Sequence, residues 1–274
     1  MRVIGLCRFS YPALGGFKRM HDSVEDREAY LYQPERMNLR FNHFETLTLP
    51  SIAAQKDPRF TFLIVIGPRM PKPYRDRLHD ITASVEQIKI VEMEPFKHRY
   101  AMQAAIKEEL GDDPEESLQF RLDDDDAVGL NFVRSVRRMA RQAGNLRKPW
   151  KNMVFEFSKG YEATLSSDGI RLREVQIPYL ACGLAALFRP GAKKTIMNFG
   201  HHKLHETMPT LIDPEPPMYI RAVHDDNDSK ASDRKDRPEP ATPEQLDLLR
   251  EKFNVDAAHV KSVFGGQAVL RDTA

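Results

Sequence analysis

Cysteine is scarce in this sequence, and its scarcity limits the kinds of site the chain can form. The 274 residues include two cysteines, Cys7 and Cys182, and both lie in apolar stretches. Two cysteines without companion ligands provide neither a disulfide framework nor a zinc site. We therefore expect two buried free thiols.

Long hydrophobic runs are also missing. No stretch has the roughly 20 consecutive apolar residues that a membrane-spanning helix needs. The N-terminal segment, residues 1–10, has too short an apolar stretch for a secretory signal, and Arg8 interrupts it. The segment is typical of a first β-strand, so we expect a cytoplasmic protein.

Net charge is nearly absent, at +1, while 41% of the residues are hydrophobic. This composition predicts a soluble globular chain with one large domain and an appendage. The overall balance hides a local excess of positive charge within residues 134–151, which contain no carboxylate. Its cations are Arg134, Arg137, Arg138, Arg141, Arg147, Lys148 and Lys151.

This basic segment has two interpretations, since helical spacing places Arg134, Arg138 and Arg141 on one side. It is either a solvated outer helix face or a surface for an anionic partner. An acidic acceptor or a peripheral contact with the inner membrane surface would suit such a surface. Nucleic acid is disfavoured, because the chain lacks interleaved aromatics and a strongly basic composition.

Segments with strand and helix patterns alternate through the first half of the chain. Such alternation predicts an α/β domain with right-handed crossovers, a mostly parallel sheet and helices on both faces. The predicted strands are residues 3–9, 60–67, 88–93 and 118–122, and the predicted helices are residues 39–55, 74–82, 98–110 and 132–143.

The second half of the chain has a different character. Its predicted elements are a strand at 152–159, a hairpin at 161–177, a buried apolar segment at 178–188, a helical stretch at 195–204 and a strand at 218–223. A polar, proline-rich linker follows, and Thr242 with Gln245 begins a C-terminal helix. The predicted limits are a domain at 1–224, a flexible linker at 225–241 and a helical appendage at 242–274.

Four consecutive aspartates, residues 123–126, are the most informative feature of the chain. Like charges about 6 Å apart repel by roughly 2 to 3 kcal/mol at an effective dielectric near 20, and a divalent ion removes that penalty. In an extended backbone Asp123 and Asp125 point to one side, and Asp124 and Asp126 to the other. The sequence therefore predicts an Asp-x-Asp cation site, with Asp124 and Asp126 capping the following loop or helix.

Three segments, taken together with their order along the chain, resemble the putative rhamnosyltransferase family of GT-A type glycosyltransferases. They are Phe120–Val128 with the four aspartates, Cys7–Ser10 at the end of the first strand, and Tyr219–Ser229 near the end of the domain. The resemblance implies a GT-A, Rossmann-like three-layer domain. It also implies transfer of a sugar, rhamnose by the family label, from a nucleoside-diphosphate donor to an acceptor hydroxyl of a glycan, lipid-linked molecule or protein.

The resemblance assigns roles to the acidic residues. Asp123 would face the ribose of the nucleotide and, with Asp125 and His224, would belong to the site of a divalent cation, Mn²⁺ or Mg²⁺. Such a cation offsets charge on the departing diphosphate. Asp124 and Arg121 are further candidates for contact with the nucleotide sugar, although Arg121 could instead balance the aspartates.

Other residues are candidates by chemistry and position. Phe9, Ser10 and Tyr11 follow the first strand and could stack on, or hydrogen-bond to, the donor's base. An inverting transferase also needs a general base. The candidates for that base are Glu206, His202 and Asp213.

A metal-dependent phosphohydrolase is the alternative function. Its candidate ligands are His201, His202, His205, His224 and Asp225. It would leave the strand-end aspartates without a role. A calcium loop counted from Asp123 is excluded, because Val128 and Arg134 stand where glycine and glutamate are required.

Overall fold

The structure is a computed structural model that describes residues 1–15, 21–224 and 237–266. Its strands are β1 (Arg2–Arg8), β2 (Thr61–Ile66), β3 (Ile88–Glu92), β4 (Ser117–Arg121), β5 (Asp126–Val128), β6 (Asn152–Phe157), β7 (Lys159–Ser166), β8 (Gly169–Gln176), β9 (Leu184–Phe188), β10 (Thr210–Asp213), β11 (Tyr219–Ala222) and β12 (Glu239–Pro240).

The helices lie between these strands and at the C-terminal end. They are α1 (Val24–Leu31), α2 (Pro34–His43), α3 (Leu49–Ala53), α4 (Lys72–Thr82), α5 (His98–Leu110), α6 (Phe132–Gln142), α7 (Pro243–Phe253) and α8 (Ala257–Gly265). A π-helical turn, Phe44–Thr48, joins α2 to α3. Short 3₁₀ turns cover Gly144–Arg147, Ala181–Gly183, Ile196–Asn198 and His201–Glu206.

A seven-stranded sheet in the order β10-β6-β9-β4-β1-β2-β3 forms the centre of the molecule. All its neighbouring pairs are parallel except those made by β9. One apolar cluster packs α2, α3, α4 and α6 on one face, and a second packs α5 and the turns after residue 195 on the other. The predicted three-layer α/β fold with a mostly parallel sheet is confirmed.

A second sheet, in the order β12-β8-β7-β11-β5, stands beside the first. Helices α7 and α8 cover it through Leu249, Phe253 and Val260. The predicted start of α7 is confirmed, because Thr242 accepts from the Gln245 amide while the Gln245 side chain accepts from the Thr242 amide. The predicted C-terminal helical extension is therefore present, and it packs on this sheet.

Several details differ from the sequence predictions. Helix α1 and strand β10 were not predicted, and the helix predicted at 39–55 is divided into α2, the π-helical turn and α3. Residues 195–204 form short 3₁₀ turns and not a helix, because the backbone is extended at Phe199 and Gly200. The strand β5 inside the acidic run was not predicted. Pro240, assigned to the flexible linker, pairs with β8 as part of β12; linker residues 225–236 lie outside the described residues. The domain limits remain a prediction.

Both cysteines are free and buried, as predicted. Burial raises the pKa of each thiol well above its usual value, so neither is poised as a thiolate at neutral pH. Among the described residues, no helix combines the length and the apolar character needed to cross a bilayer.

Candidate active site

The acidic run forms a tight turn beyond the C-terminal end of β4. The Asp126 amide donates to the Asp123 carbonyl oxygen at 3.1 Å, and Asp126 then begins β5. Carboxylate oxygens of Asp123, Asp125 and Asp126 lie within 4.8 Å of one another. The prediction that successive aspartates point to opposite sides is corrected, because it requires an extended backbone and the chain turns here. The carboxylate of Asp126 lies with those of Asp123 and Asp125.

Arg40 of α2 neutralises two of the buried carboxylates. Its Nε donates to Asp124 Oδ2 at 2.9 Å, and its Nη1 donates to Asp125 Oδ2 at 3.1 Å. Asp124 and Asp125 are 1% and 3% exposed. Burial alone would raise the pKa of Asp125, but Arg40 and then His224 hold it well below its usual value. Asp125 is therefore a fixed negative charge.

His224 reaches the same carboxylate from beyond β11. Its Nε2 donates to Asp125 Oδ2 at 2.9 Å, and its ring centroid lies 4.5 Å from that of His43. Burial first, and His224 second, lower the pKa of His43 to about 4. His43 is thus neutral at physiological pH, and its ring packs edge-on against Phe264 of α8 at 5.1 Å.

Asp126 ties the turn to the second sheet. The Ala222 amide donates to Asp126 Oδ1 at 3.2 Å, and Thr48 Oγ1 donates to the Asp126 carbonyl oxygen at 2.8 Å. Burial, followed by the charges of Asp125 and Asp123, raises the pKa of Asp126 well above its usual value. The capping prediction is wrong: Asp124 binds Arg40, Asp126 binds the β11 backbone, and α6 has no side-chain cap.

A cavity of about 290 Å³ opens beside Asp123, at the C-terminal ends of β1 and β4. It is lined by Leu6, Arg8, His98, Arg121, Asp123, Ala181, Met197 and His201. Arg121 contributes a buried guanidinium whose Nε and Nη2 have no hydrogen-bond partner among the residues that the structure describes. Buried guanidinium nitrogens without hydrogen bonds are costly, so this arrangement favours a ligand with anionic oxygens.

The other lining residues strengthen the positive potential of the cavity. His98 is the first residue of α5, where unpaired helix amides favour an anion. Burial, followed by Arg8, Arg121 and Arg99, lowers the pKa of His98 to about 3. A neutral imidazole surrounded by guanidinium groups indicates a cavity suited to phosphate oxygens.

The end of β1 supports the site without forming its surface. Phe9 has no exposed surface and packs edge-on against Phe41 at 4.9 Å. Ser10, 5% exposed, accepts from Arg36, and the Tyr11 hydroxyl donates to the Glu94 carbonyl oxygen at 2.6 Å. The prediction that Phe9 and Tyr11 contact the donor's base is corrected, because neither ring offers a free face. The buried Asp124 is likewise shielded from a ligand.

The predicted bases do not line the cavity. His202 and Glu206 are exposed on the turn that begins at His201, and Asp213 accepts from the Glu215 amide at 3.2 Å. His201, considered earlier only as a hydrolase ligand, lines the cavity instead. Burial, as the largest cause, lowers the pKa of His201, which favours a neutral imidazole.

Glu156 of β6 supports His201 through the backbone, and no sequence motif indicates this role. The buried Glu156 Oε1 accepts from the Tyr179 amide, and the Tyr179 carbonyl oxygen lies 2.5 Å from His201 Nδ1. Tyr179 has φ of +57°, a left-handed conformation that is unfavourable for a tyrosine. The buried carboxylate thus holds a strained turn beside the cavity.

The candidate ligands of the alternative hydrolase site that the structure describes do not form one cluster. In residues 1–15, 21–224 and 237–266, the closely spaced group of potential metal ligands is Asp123, Asp125 and Asp126, without His201, His202 or His205. Asp225 lies outside the described residues. His224 is hydrogen-bonded to Asp125, so it belongs to the acidic turn and not to a histidine cluster.

Comparison with known proteins gives one match that covers most of the chain. A family model described as "Putative rhamnosyl transferase" matches residues 2–236. No curated protein matches.

Solved structures show weak likenesses. The S. aureus TarS 1-349 crystal structure is 10% identical with a TM-score of 0.46, covering 81% of this chain and 60% of that chain. The crystal structure of S. aureus TarS 1-349 in complex with UDP-GlcNAc is 10% identical with a TM-score of 0.47, and the match covers 83% of this chain and 60% of that chain. The 4-diphosphocytidyl-2C-methyl-D-erythritol synthase of Anaerococcus prevotii is 12% identical with a TM-score of 0.33, and the match covers 77% of this chain and 86% of that chain. The chain thus spans about 60% of the TarS structures, and TM-scores below 0.5 establish no common fold.

Proposed function

Because the chain belongs to the putative rhamnosyl transferase family, a family of glycosyltransferases, we propose that the cavity beside Asp123 binds a nucleoside-diphosphate sugar. The enzyme then transfers the sugar to an acceptor hydroxyl. The observation that carries this proposal is Arg121, whose Nε and Nη2 are buried in that cavity without a hydrogen-bond partner in the described part of the chain. A diphosphate would satisfy them, since guanidinium groups pair with phosphate oxygens in a forked geometry.

The surroundings of Arg121 support a diphosphate over a single carboxylate. Arg8 lines the same cavity, and the N-terminal end of α5 contributes His98. Two guanidinium groups and a helix N-terminus offer more donors than one carboxylate can accept. We place the diphosphate of the donor between Arg8 and Arg121, with Asp123 beside it.

The acidic turn fits a divalent cation by the chemistry of its donors. Asp123, Asp125 and Asp126 provide hard carboxylate oxygens within 4.8 Å of one another, which suit manganese or magnesium. Burial first, and then repulsion from Asp125 and Asp123, raise the pKa of Asp126, and a bound ion would relieve the repulsion. When bound, the ion would supply positive charge next to the departing diphosphate.

His224 has a different role in this proposal from the one predicted. Its Nε2 already donates to Asp125, so His224 orients that carboxylate from outside the ligand set. His201 is our candidate for the general base, because it lines the cavity and has a lowered pKa. Rhamnose is proposed as the transferred sugar on the family description alone.

The test measures release of nucleoside diphosphate. The full chain is incubated with UDP-, dTDP- and GDP-linked sugars, including rhamnose donors, with and without Mn²⁺. We expect one donor to be consumed, and Asp125→Asn to reduce turnover by roughly 100-fold or more. Arg121→Gln should raise the donor KM by roughly tenfold or more, because a charged phosphate contact is lost.

Two exposed neighbours provide matched controls. Arg99→Gln removes a nearby charge outside the cavity lining, and should leave the donor KM within about twofold. His202→Asn should retain turnover, whereas His201→Asn should lose most of it. If Arg121→Gln leaves the KM unchanged, or His202→Asn is the inactive variant, the cavity is not the donor site as proposed.

A further inference from the structure

A second cavity, of about 480 Å³, is larger than the donor cavity and shares no lining residue with it. We call it the basic basin, and its cations are Lys56, Arg59, Arg134, Arg137, Arg138 and Arg141. Asp57 is the one carboxylate in its lining. The basin therefore has a strong excess of positive charge.

The basin and the donor cavity lie on opposite faces of the central sheet. Helix α6, which supplies four of the arginines, packs in the apolar cluster with α2 and α4. Leu6 and Met197 of the donor cavity belong to the cluster on the other face. The loop 56–60 enters β2 at its N-terminal end, whereas the donor cavity is at the C-terminal strand ends. One ligand cannot occupy both sites.

Asp57 neutralises only part of the basin. Its Oδ1 accepts from Arg59 Nε at 3.0 Å, and its Oδ2 lies 3.2 Å from Arg137 Nη1. The side chains of Lys56, Arg134, Arg138 and Arg141 have no hydrogen bond or ion pair with any residue that the structure describes. Four cations thus face the cavity without internal compensation.

Arg137 distinguishes the basin from an ordinary solvated helix face. It is 5% exposed, and its Nη2 donates to the Arg59 carbonyl oxygen at 2.6 Å. Its Nε is buried without a hydrogen-bond partner among residues 1–15, 21–224 and 237–266. Burial, the largest cause, lowers its pKa; Asp57 opposes this, and Arg59 and Arg141 lower it further. Asp57 shared between Arg59 and Arg137 offsets only part of the charge around this buried guanidinium, and an external anion would offset the rest.

The spacing of the arginines indicates the size of that anion. Arg134, Arg138 and Arg141 follow one helix face, and a separation of seven residues corresponds to roughly 10 Å. Lys56 and Arg59 stand on the facing loop. A single carboxylate cannot reach all of these groups, whereas successive phosphates can, and guanidinium groups bind phosphate in a forked geometry.

We propose that the basic basin is a binding site for a ligand with two or more phosphate groups, separate from the donor cavity. Phosphates of this kind occur in soluble polyphosphorylated molecules and in adjacent anionic lipid headgroups. Arginine rows recognise both through the same contacts. The basin would hold such a ligand while the opposite face of the sheet remains open to the donor.

The first experiment measures calorimetric binding of inorganic tripolyphosphate in metal-free buffer. Every chain carries Arg121→Gln, so that the donor cavity contributes little. Adding Arg134→Gln and Arg138→Gln should weaken binding by roughly 10- to 100-fold, since two charged contacts are lost. Adding Arg250→Gln and Lys252→Gln on the exposed face of α7 is the charge-matched control, and should change binding by less than about twofold.

The second experiment measures co-sedimentation of the otherwise native chain with vesicles of phosphatidylcholine and phosphatidylglycerol. Tripolyphosphate binding that depends on Arg134 and Arg138, without vesicle binding that depends on them, assigns a soluble ligand. Vesicle binding that depends on them assigns lipid headgroups. If neither depends on these arginines while both chains remain folded, the proposal is overturned. Neither readout involves sugar transfer, so failure of the donor-site proposal would leave this result unaffected.

Discussion

The acidic turn at residues 123–126 and the basic basin on α6 begin as the same sequence feature, a run of like charges, but they fold into opposite surroundings. Three of the four aspartates are buried, and Arg40, His224 and the Ala222 amide bind their oxygens. Four of the six basin cations have no such compensation among the described residues.

The difference teaches how to interpret charge runs. A buried run must be compensated from distant parts of the chain, because an isolated buried charge is very costly. An exposed run can persist at small cost, because water and salt screen it. Buried charges thus contribute to the fold as well as to the site, while the basin cations are available to an external partner. The following predictions test this contrast, in decreasing order of effect.

Removing Arg40 should have the largest effect. Arg40→Met would leave Asp124 and Asp125 buried without their guanidinium partner, and we expect a loss of about 3–5 kcal/mol in the free energy of unfolding. Urea denaturation measures this loss. Mn²⁺ should then raise the melting temperature of Arg40→Met more than that of the native chain, since the cation replaces the missing charge.

The matched control is Arg69→Gln. Arg69 also pairs with a carboxylate, Glu28, but its side chain is 52% exposed. Loss of this ion pair should lower the free energy of unfolding by less than about 1 kcal/mol. If Arg40→Met also lowered the free energy of unfolding by less than about 1 kcal/mol, the buried ion pairs of Arg40 would contribute no more to stability than the exposed pair of Arg69.

Glu156 is a buried carboxylate that forms no ion pair with the residues that the structure describes, so it tests a buried charge without a cation. Burial raises its pKa above the usual 4.5, against the opposing hydrogen bond from the Tyr179 amide. Between the usual and the raised pKa, the native state holds more protons than the unfolded state, so stability falls as pH rises. Glu156→Gln should therefore be more stable than the native chain at pH 8, by about 1 kcal/mol or 2–4 °C.

Thermal unfolding between pH 5 and pH 8 checks this prediction. The advantage of Glu156→Gln should shrink as pH falls, because the native carboxyl becomes protonated and resembles the amide. Glu251→Gln, a change at a glutamate whose side chain is 72% exposed, should show no such trend. A Glu156→Gln chain less stable than the native chain at pH 8 would mean that the negative charge itself holds Tyr179.

Neutralising the basin should have the smallest effect on stability. Arg134→Gln with Arg138→Gln removes two like charges four residues apart on a helix, whose repulsion amounts to a few tenths of a kcal/mol. We expect the free energy of unfolding to stay within about 0.5 kcal/mol of the native value, with a slight gain at low salt. A loss above 1 kcal/mol would reveal internal partners for these arginines.

The sequence predicts most of the fold because the relevant signals are local. Alternation of Leu118, Phe120 and Leu122 indicates β4, and the Thr242–Gln245 capping pattern indicates α7. Three candidate residues, Asp123, Asp125 and His224, do meet at the acidic turn. The alternation rule fails only where the strand stops and the chain turns.

The remaining site residues could not be predicted, because their signals are not local. Arg40 compensates carboxylates 84 and 85 residues away, and nothing in its own helix marks it. Glu156 acts through the backbone of Tyr179. The choice between His201 and His202 depends on the rotation of a short 3₁₀ turn, which residue spacing does not determine.

The packing of α8 has a consequence for how the protein can be shortened. The family match stops at residue 236, yet Phe264 packs on His43, which in turn packs on His224. A chain cut where the family match stops would remove the Phe264 ring from His43 and expose that imidazole to water, so the pKa of His43 would rise toward its usual value. The family match therefore ends before the last residue that shields His43 from water.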